Sequence, residues 1–203
     1  FEKIQYAHYM PALQKGIEEH NAEILAIIDN KDAADWNNTI LALDNSGQLL
    51  NRVAAVIFAL GSSDNTPEMQ AISEEALPLI SAHQDEVGMN AALFARIKEV
   101  YDKKDELCAD EAQTRLLERT YKRFVRSGAL LGAEDQAKLK EINTQLTSAC
   151  LAFTNTLLAA SKAARVVDEA TGKEYTIDAA VRLDVLTNSD NRALRQKMYE
   201  TYT

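Results

Sequence analysis

The sequence predicts a mainly α fold: a multi-helix lobe with one small β-hairpin near residues 164–177. Three observations predict it. Apolar residues recur every three or four positions along most of the chain, the period of helices buried on one face. Helix-start signals precede several of these runs, with Thr66, Asn90 and Asp110 as candidate caps. One stretch breaks the pattern: "RVVDEATGKEYTID", Arg165 to Asp178, holds two short β-prone runs around Thr171-Gly172. At 203 residues the chain suits one helical domain, 1–203. A chain of that length buries roughly 70% of its unfolded surface and needs no staple.

The elements follow in order. Pro11 fits the first turn of the first helix, whose apolar face is Leu13, Ile17, Ile24, Ile27 and Ile28. The next stretch, "DWNNTILALDNSGQLLNRV", reads as one amphipathic helix continuing to Leu60, with the stripe Trp36, Ile40, Leu43, Leu50, Val53, Ile57 and Leu60. Gly47 falls on that stripe at a cost of about 1 kcal/mol against Ala. A glycine there allows another element to approach closely. Gly61 sits where a C-terminal cap is expected, and "VAAVIFAL" before it reads as a buried helix segment. Thr66 and Pro67 begin the third helix, with Met69, Ile72, Ala76, Leu79, Ile80 and His83 on one side and Pro78 expected to kink it. Asn90 precedes a short helix carrying Leu93, Phe94, Ile97, Val100 and Tyr101. Asp110 and Gln113 form a capping box for the next helix, which carries Leu116, Leu117, Tyr121 and Phe124 and stops at Gly128. A long helix from about Ala133 to Lys162 follows, with the stripe Leu139, Ile142, Leu146, Cys150, Phe153 and Leu157. After the hairpin, Ser189 caps a helix still amphipathic at Thr203, as if the chain ended inside an element.

Composition removes several functions. A net charge of −9, from 31 acidic and 22 basic residues, argues against a nucleic-acid binder. The one basic cluster, Arg119, Lys122, Arg123 and Arg126, lies near a helix C-terminus, where cations suit the dipole. No apolar run reaches the ~18–20 residues of a membrane span. Cys108 and Cys150 are far apart and in no metal-type spacing, so two buried, reduced thiols are expected. None of His8, His20 and His83 is followed by Glu, and none has Glu three residues before it, so the His-Glu-x-x-His and Glu-x-x-His motifs are both missing. His20 with Glu23, or His83 with Glu86, could meet on one helix face, but two ligands alone are not a metal site. The histidines are expected to be structural or surface groups. Asn37-Asn38-Thr39 is formally a glycosylation sequon at a helix start, where capping is the favoured role. No nucleophile elbow, P-loop or dinucleotide fingerprint appears. These patterns alone give an acidic helical domain without a reaction.

The order of five segments goes further. Phe1, His8-Tyr9 and Pro11-Ala12 come first. Trp36, Asn38, Thr39 and Ile40 follow, continued by Ser46 to Val53. Then come "LFARIKEVYD" (Leu93–Asp102), "LLERTYKRFVRSGALL" (Leu116–Leu131) and "SDNRALRQKMYETY" (Ser189–Tyr202). Together they resemble the N-terminal region of the thimet oligopeptidase and neurolysin-like zinc metallopeptidases, most closely the bacterial peptidyl-dipeptidase branch. The resemblance implies an ellipsoidal helical enzyme of two lobes around a deep channel that admits short peptides. A zinc-bound water attacks the scissile carbonyl there, with the Glu of His-Glu-x-x-His as general base. That motif is absent from this chain. The chain would form one channel wall, with no catalytic, cofactor-binding or metal-binding residue of its own, and zinc would belong to the missing catalytic lobe. Short peptides and that lobe are the implied partners, with neither nucleic acid nor membrane among them. The segment 163–184 also looks shorter than in the family. The alternative is a stand-alone helical module that binds peptides or a protein without catalysis; a weaker one is an unrelated α scaffold. The expected compartment is the cytoplasm, with the periplasm kept open, because the chain starts at Phe1 and something before it is expected to have been removed.

Overall fold

A computed structural model describes residues 3–63, 66–167 and 172–176. It divides into two compact units, Phe1–Ser148 and Ala149–Thr203. The helix expected from Ser189 lies outside the described residues.

The first unit is helical. A short 3-10 turn, Tyr6–His8, leads into α1, Tyr9–Ile28. A π-helical turn, Trp36–Leu41, precedes α2, Ala42–Asp44, and α3, Gln48–Ser63. Then come α4, Pro67–Gly88, α5, Ala91–Asp102, α6, Lys104–Leu107, and α7, Glu111–Arg126. α8, Ala133–Ala163, begins in this unit.

The expected caps are in place. Thr66 Oγ1 accepts from the Met69 amide, Asn90 Oδ1 from that of Leu93, and Asp110 Oδ1 from that of Gln113. The box at Asp110 differs in one bond: the Gln113 side chain accepts from the Ala109 amide rather than from Asp110. α7 ends as expected, with the Ala129 and Gly128 amides closing on the Phe124 and Val125 carbonyls and with Arg123 and Arg126 in its last turn.

The stretch Asp35–Leu60 is not one helix. Its apolar stripe is real, but it breaks at Gly47, which sits at φ +70. Only glycine adopts that left-handed conformation cheaply. The break divides the stripe between two cores. Ile40 and Leu43 join Ile24, Ile27, Leu93, Ile97, Leu117 and Phe124. Leu50 and Ile57 join Tyr9, Leu13, Met69, Ala76 and Ile80. The second core is closed by the crossing of α1 over α3, where a Cβ on Gly16 would lie 2.8 Å from the Leu50 Cα.

Gly61 does not end α3. It lies inside the helix where α4 approaches, and a Cβ there would come within 2.7 Å of Ser73 Oγ. The run "VAAVIFAL" is also less buried than its composition suggests, since Phe58 is exposed. Leu79, expected on the inner side of α4, is exposed too, whereas Met69, Ala76, Ile80 and His83 are buried.

Three of the segments that carry the resemblance, those around Asn38, Arg96 and Tyr121, pack on one another. Asn38 Oδ1 accepts from the Asp35 amide at 3.0 Å, Thr39 Oγ1 at 2.8 Å and Arg96 Nη2 at 3.0 Å. Its Nδ2 donates to the Ala33 carbonyl. Arg96 also donates to the carbonyls of Asn30 and Asp32, so the guanidinium ties α5 to the loop after α1. Asn38, the middle residue of the sequon, is therefore a capping hub, whereas the sequon's acceptor Asn37 is exposed. On the other side of α5, Phe94 packs on Tyr121 and Phe124, and Tyr101 stacks on Tyr121 with centroids 4.0 Å apart.

α8 reverses its expected polarity. Its half-buried positions in the first unit are largely polar. Gln136 donates to the Met89 and Gly128 carbonyls, Asn143 to Asp85 Oδ1, and Thr147 bonds Ser81. Of the expected stripe only Leu139 is half-buried, while Ile142 and Leu146 are exposed.

In the second unit, Cys150, Phe153 and Leu157 are exposed as well. Cys108 is half-buried, so both thiols are free as expected but neither is buried. The hairpin is present: β1, Arg165–Val167, pairs antiparallel with β2, Glu174–Thr176, matching Val166 to Tyr175.

Candidate functional site

Two histidines of the first unit, His20 and His83, meet at a cleft of about 680 Å³. Leu50, Ile80 and Phe124 supply apolar wall, and His20, His83 and Arg123 the polar wall. α1 brings His20, since position 20 continues the inward face of Leu13, Gly16, Ile24 and Ile27. α4 brings His83 one turn beyond Ile80, and it is 4% exposed. The break at Gly47 brings the third element. Its amide donates to Glu23 Oε2 at 2.6 Å, and a Cβ in place of its hydrogen would lie 3.2 Å from the His20 ring.

The hydrogen bonds fix the tautomers. Ser46 Oγ gives its proton to the Leu43 carbonyl at 2.7 Å, so at 3.2 Å from His20 Nε2 it must accept. His20 then carries its proton on Nε2, and its Nδ1 accepts from His83 Nε2 at 2.8 Å. The rings meet edge to face with centroids 4.9 Å apart. His83 Nδ1 is the end of this relay and has no partner. Burial pushes His20 below the ordinary histidine value; the charge of His83 adds to this, and Glu23 opposes it. Burial likewise lowers His83, opposed by Glu86. At neutral pH both rings are uncharged.

The arrangement accepts protons and joins helices. It pairs no nucleophile with a base. Among the described residues no three His, Cys, Asp or Glu groups could hold a metal ion. The Glu23 carboxylate, a conceivable helper for His20, is engaged by the Gly47 amide. His8 lies elsewhere, accepting from the Gln5 amide at an exposed turn. The pairing of His20 with His83 escaped the sequence, although both spacings place them on inward helix faces. Arg123, in the basic cluster, has its guanidinium 5.6 Å from the Phe124 ring centroid.

No family model matches the sequence. Individual proteins do. The dipeptidyl carboxypeptidase of Salmonella typhimurium is 39% identical over 171 residues, 84% of this chain. The Escherichia coli protein of the same name is 38% identical over 82% of the chain. The chain is homologous to part of these peptidases. It spans 25% and 24% of their lengths. Oligopeptidase A of E. coli is 26% identical over the whole chain, which spans 33% of it. That alignment runs over 227 positions against the chain's 203 residues, so this relative carries additional residues within the shared region. No helix of the described residues is long and apolar enough to cross a membrane.

Proposed function

We propose that this chain, 1–203, is the N-terminal, channel-wall part of a zinc metallopeptidase that hydrolyses short peptides and releases their C-terminal dipeptides. The observation that carries the reading is the 39% identity to a dipeptidyl carboxypeptidase over 84% of the chain. The identity to oligopeptidase A of E. coli is lower, at 26%. In this reading the chain contributes shape and no reacting group. Its own histidines do not fit the zinc, because the only pair that meets is spent on joining α1 to α4. The metal is therefore held outside this chain, and the isolated chain is inactive. The compartment that accompanies this reading is the cytoplasm, with the periplasm as the alternative.

The exposed face of α8 supports the same reading. Ile142, Leu146, Phe153 and Leu157 are each more than half exposed, at 57%, 59%, 69% and 56%. Apolar residues at such spacing on a helix mark an interaction face. We assign it to the catalytic lobe. The same face is what favours the alternative, a binding module that covers it with a partner or a second copy.

The expected result of a product assay follows. Given an N-blocked peptide, the full-length protein releases free C-terminal dipeptides, identified by mass, and a zinc chelator abolishes the release. Release of single amino acids, internal cleavage alone or chelator-resistant turnover would overturn the proposal.

A further inference from the structure

We propose that the His20–His83 pair is a two-stage proton switch joining α1, α4 and the turn at Gly47: it takes one proton with the contact intact and opens on the second. The geometry dictates the order of events. In the neutral pair every ring nitrogen but one is committed. His20 Nε2 donates to Ser46, His20 Nδ1 accepts from His83 Nε2, and His83 Nδ1 alone is unpartnered. The first proton therefore binds His83 Nδ1. It breaks no hydrogen bond, and it makes the donor to His20 cationic, which strengthens that bond.

The second proton has one nitrogen left, His20 Nδ1. Binding there sets two N–H groups against each other across 2.8 Å and places two like charges in one part-buried site. The pair must separate. The His20 ring has little room to move alone, because it lies against Gly47 and bonds Ser46. Its displacement carries the turn at which α3 begins, and with it one wall of the 680 Å³ cleft.

The charges facing the pair come from every neighbouring element. Glu23 on α1 and Glu86 on α4 favour protonation of their own helix's histidine. Asp44, before the turn, and Arg123, on α7, line the same cleft with opposite signs. Burial outweighs the two glutamates and lowers both histidines. The sign of the pH dependence follows. As pH falls past the ordinary histidine value, the unfolded chain binds protons that the folded chain resists. Stability is complete above about pH 6.5 and falls below it.

The test is a nitrogen-detected NMR titration of the histidine side chains in the 203-residue chain, from pH 8 to pH 4, with backbone amides followed in parallel. The expected result is that His20 and His83 titrate in two steps more than about one pH unit apart, as interacting sites require. The Ser46 and Gly47 amides hold their shifts through the first step and move with the second. His83→Gln, whose amide can still donate to His20, removes the first step. Two histidines titrating together near the ordinary value, or a Gly47 amide that moves with the first proton, would overturn the proposal. Should His83→Gln not fold, the unmodified chain's titration decides alone.

Discussion

Replacing Phe124 by Ala lowers the stability of the first unit by about 3–5 kcal/mol, the cost of emptying an aromatic site in a packed core. Phe124 is 2% exposed and stacks near Phe94, at the point where α7 meets α5 and the π-helical turn. Its carbonyl also accepts from the Ala129 amide at the cap, but that bond belongs to the backbone and survives the substitution. Urea unfolding followed through the fluorescence of Trp36 reads the change, since this single tryptophan packs against the same core. Leu25→Ala is the control. Leu25 is 56% exposed on α1, and its loss is expected to cost no more than about 0.5 kcal/mol. Equal effects at the two positions would show that Phe124 is not in a packed interior.

The second large effect is at Asn38. Asn38→Ala removes the acceptor of Arg96 Nη2, of the Thr39 hydroxyl and of the Asp35 amide together. Thr39 is fully buried, and Arg96 already holds its buried Nε without a partner. Stranding buried donors costs about 1–3 kcal/mol each, so a total near 3–4 kcal/mol is expected. Arg96→Met keeps the aliphatic stem and removes the guanidinium. In a double-mutant cycle the two substitutions are expected to couple by about 1–2 kcal/mol, since they delete the same bond. Strict additivity would mean that the Asn38–Arg96 contact contributes nothing.

The fold was largely legible because its helices obey local rules. Thr66, Asn90 and Asp110 cap where their side chains predict, and Gly128 ends α7. What stayed hidden depends on partners distant in sequence. The stripe from Trp36 to Leu60 keeps one period through Gly47, so nothing local reveals that its halves enter different cores. The π-helical turn at Trp36–Leu41 follows from the Asn38 hub, and Arg96 lies 58 residues away from it. α8 carries a regular apolar stripe, yet its docked face is Gln136, Asn143 and Thr147. A periodic stripe says that a face is to be covered and not by what. The candidate site was legible only in halves. Each histidine's inward position could be read, but their meeting across 63 residues could not. The resemblance to peptidases was legible because five segments occur in order, three of which are mutually packed scaffold.

The most direct test of the account uses Cys150, which lies on the exposed stripe of α8. Its rate of alkylation is measured in a Cys108→Ser background, in the 203-residue chain and in the full-length protein. The account predicts rapid labelling in the chain alone and protection of at least about tenfold in the full-length protein, about 1.4 kcal/mol in opening free energy, where the catalytic lobe covers the stripe. Equal labelling in both would contradict it, and protection already present in the isolated chain would point to self-association, as the stand-alone module requires.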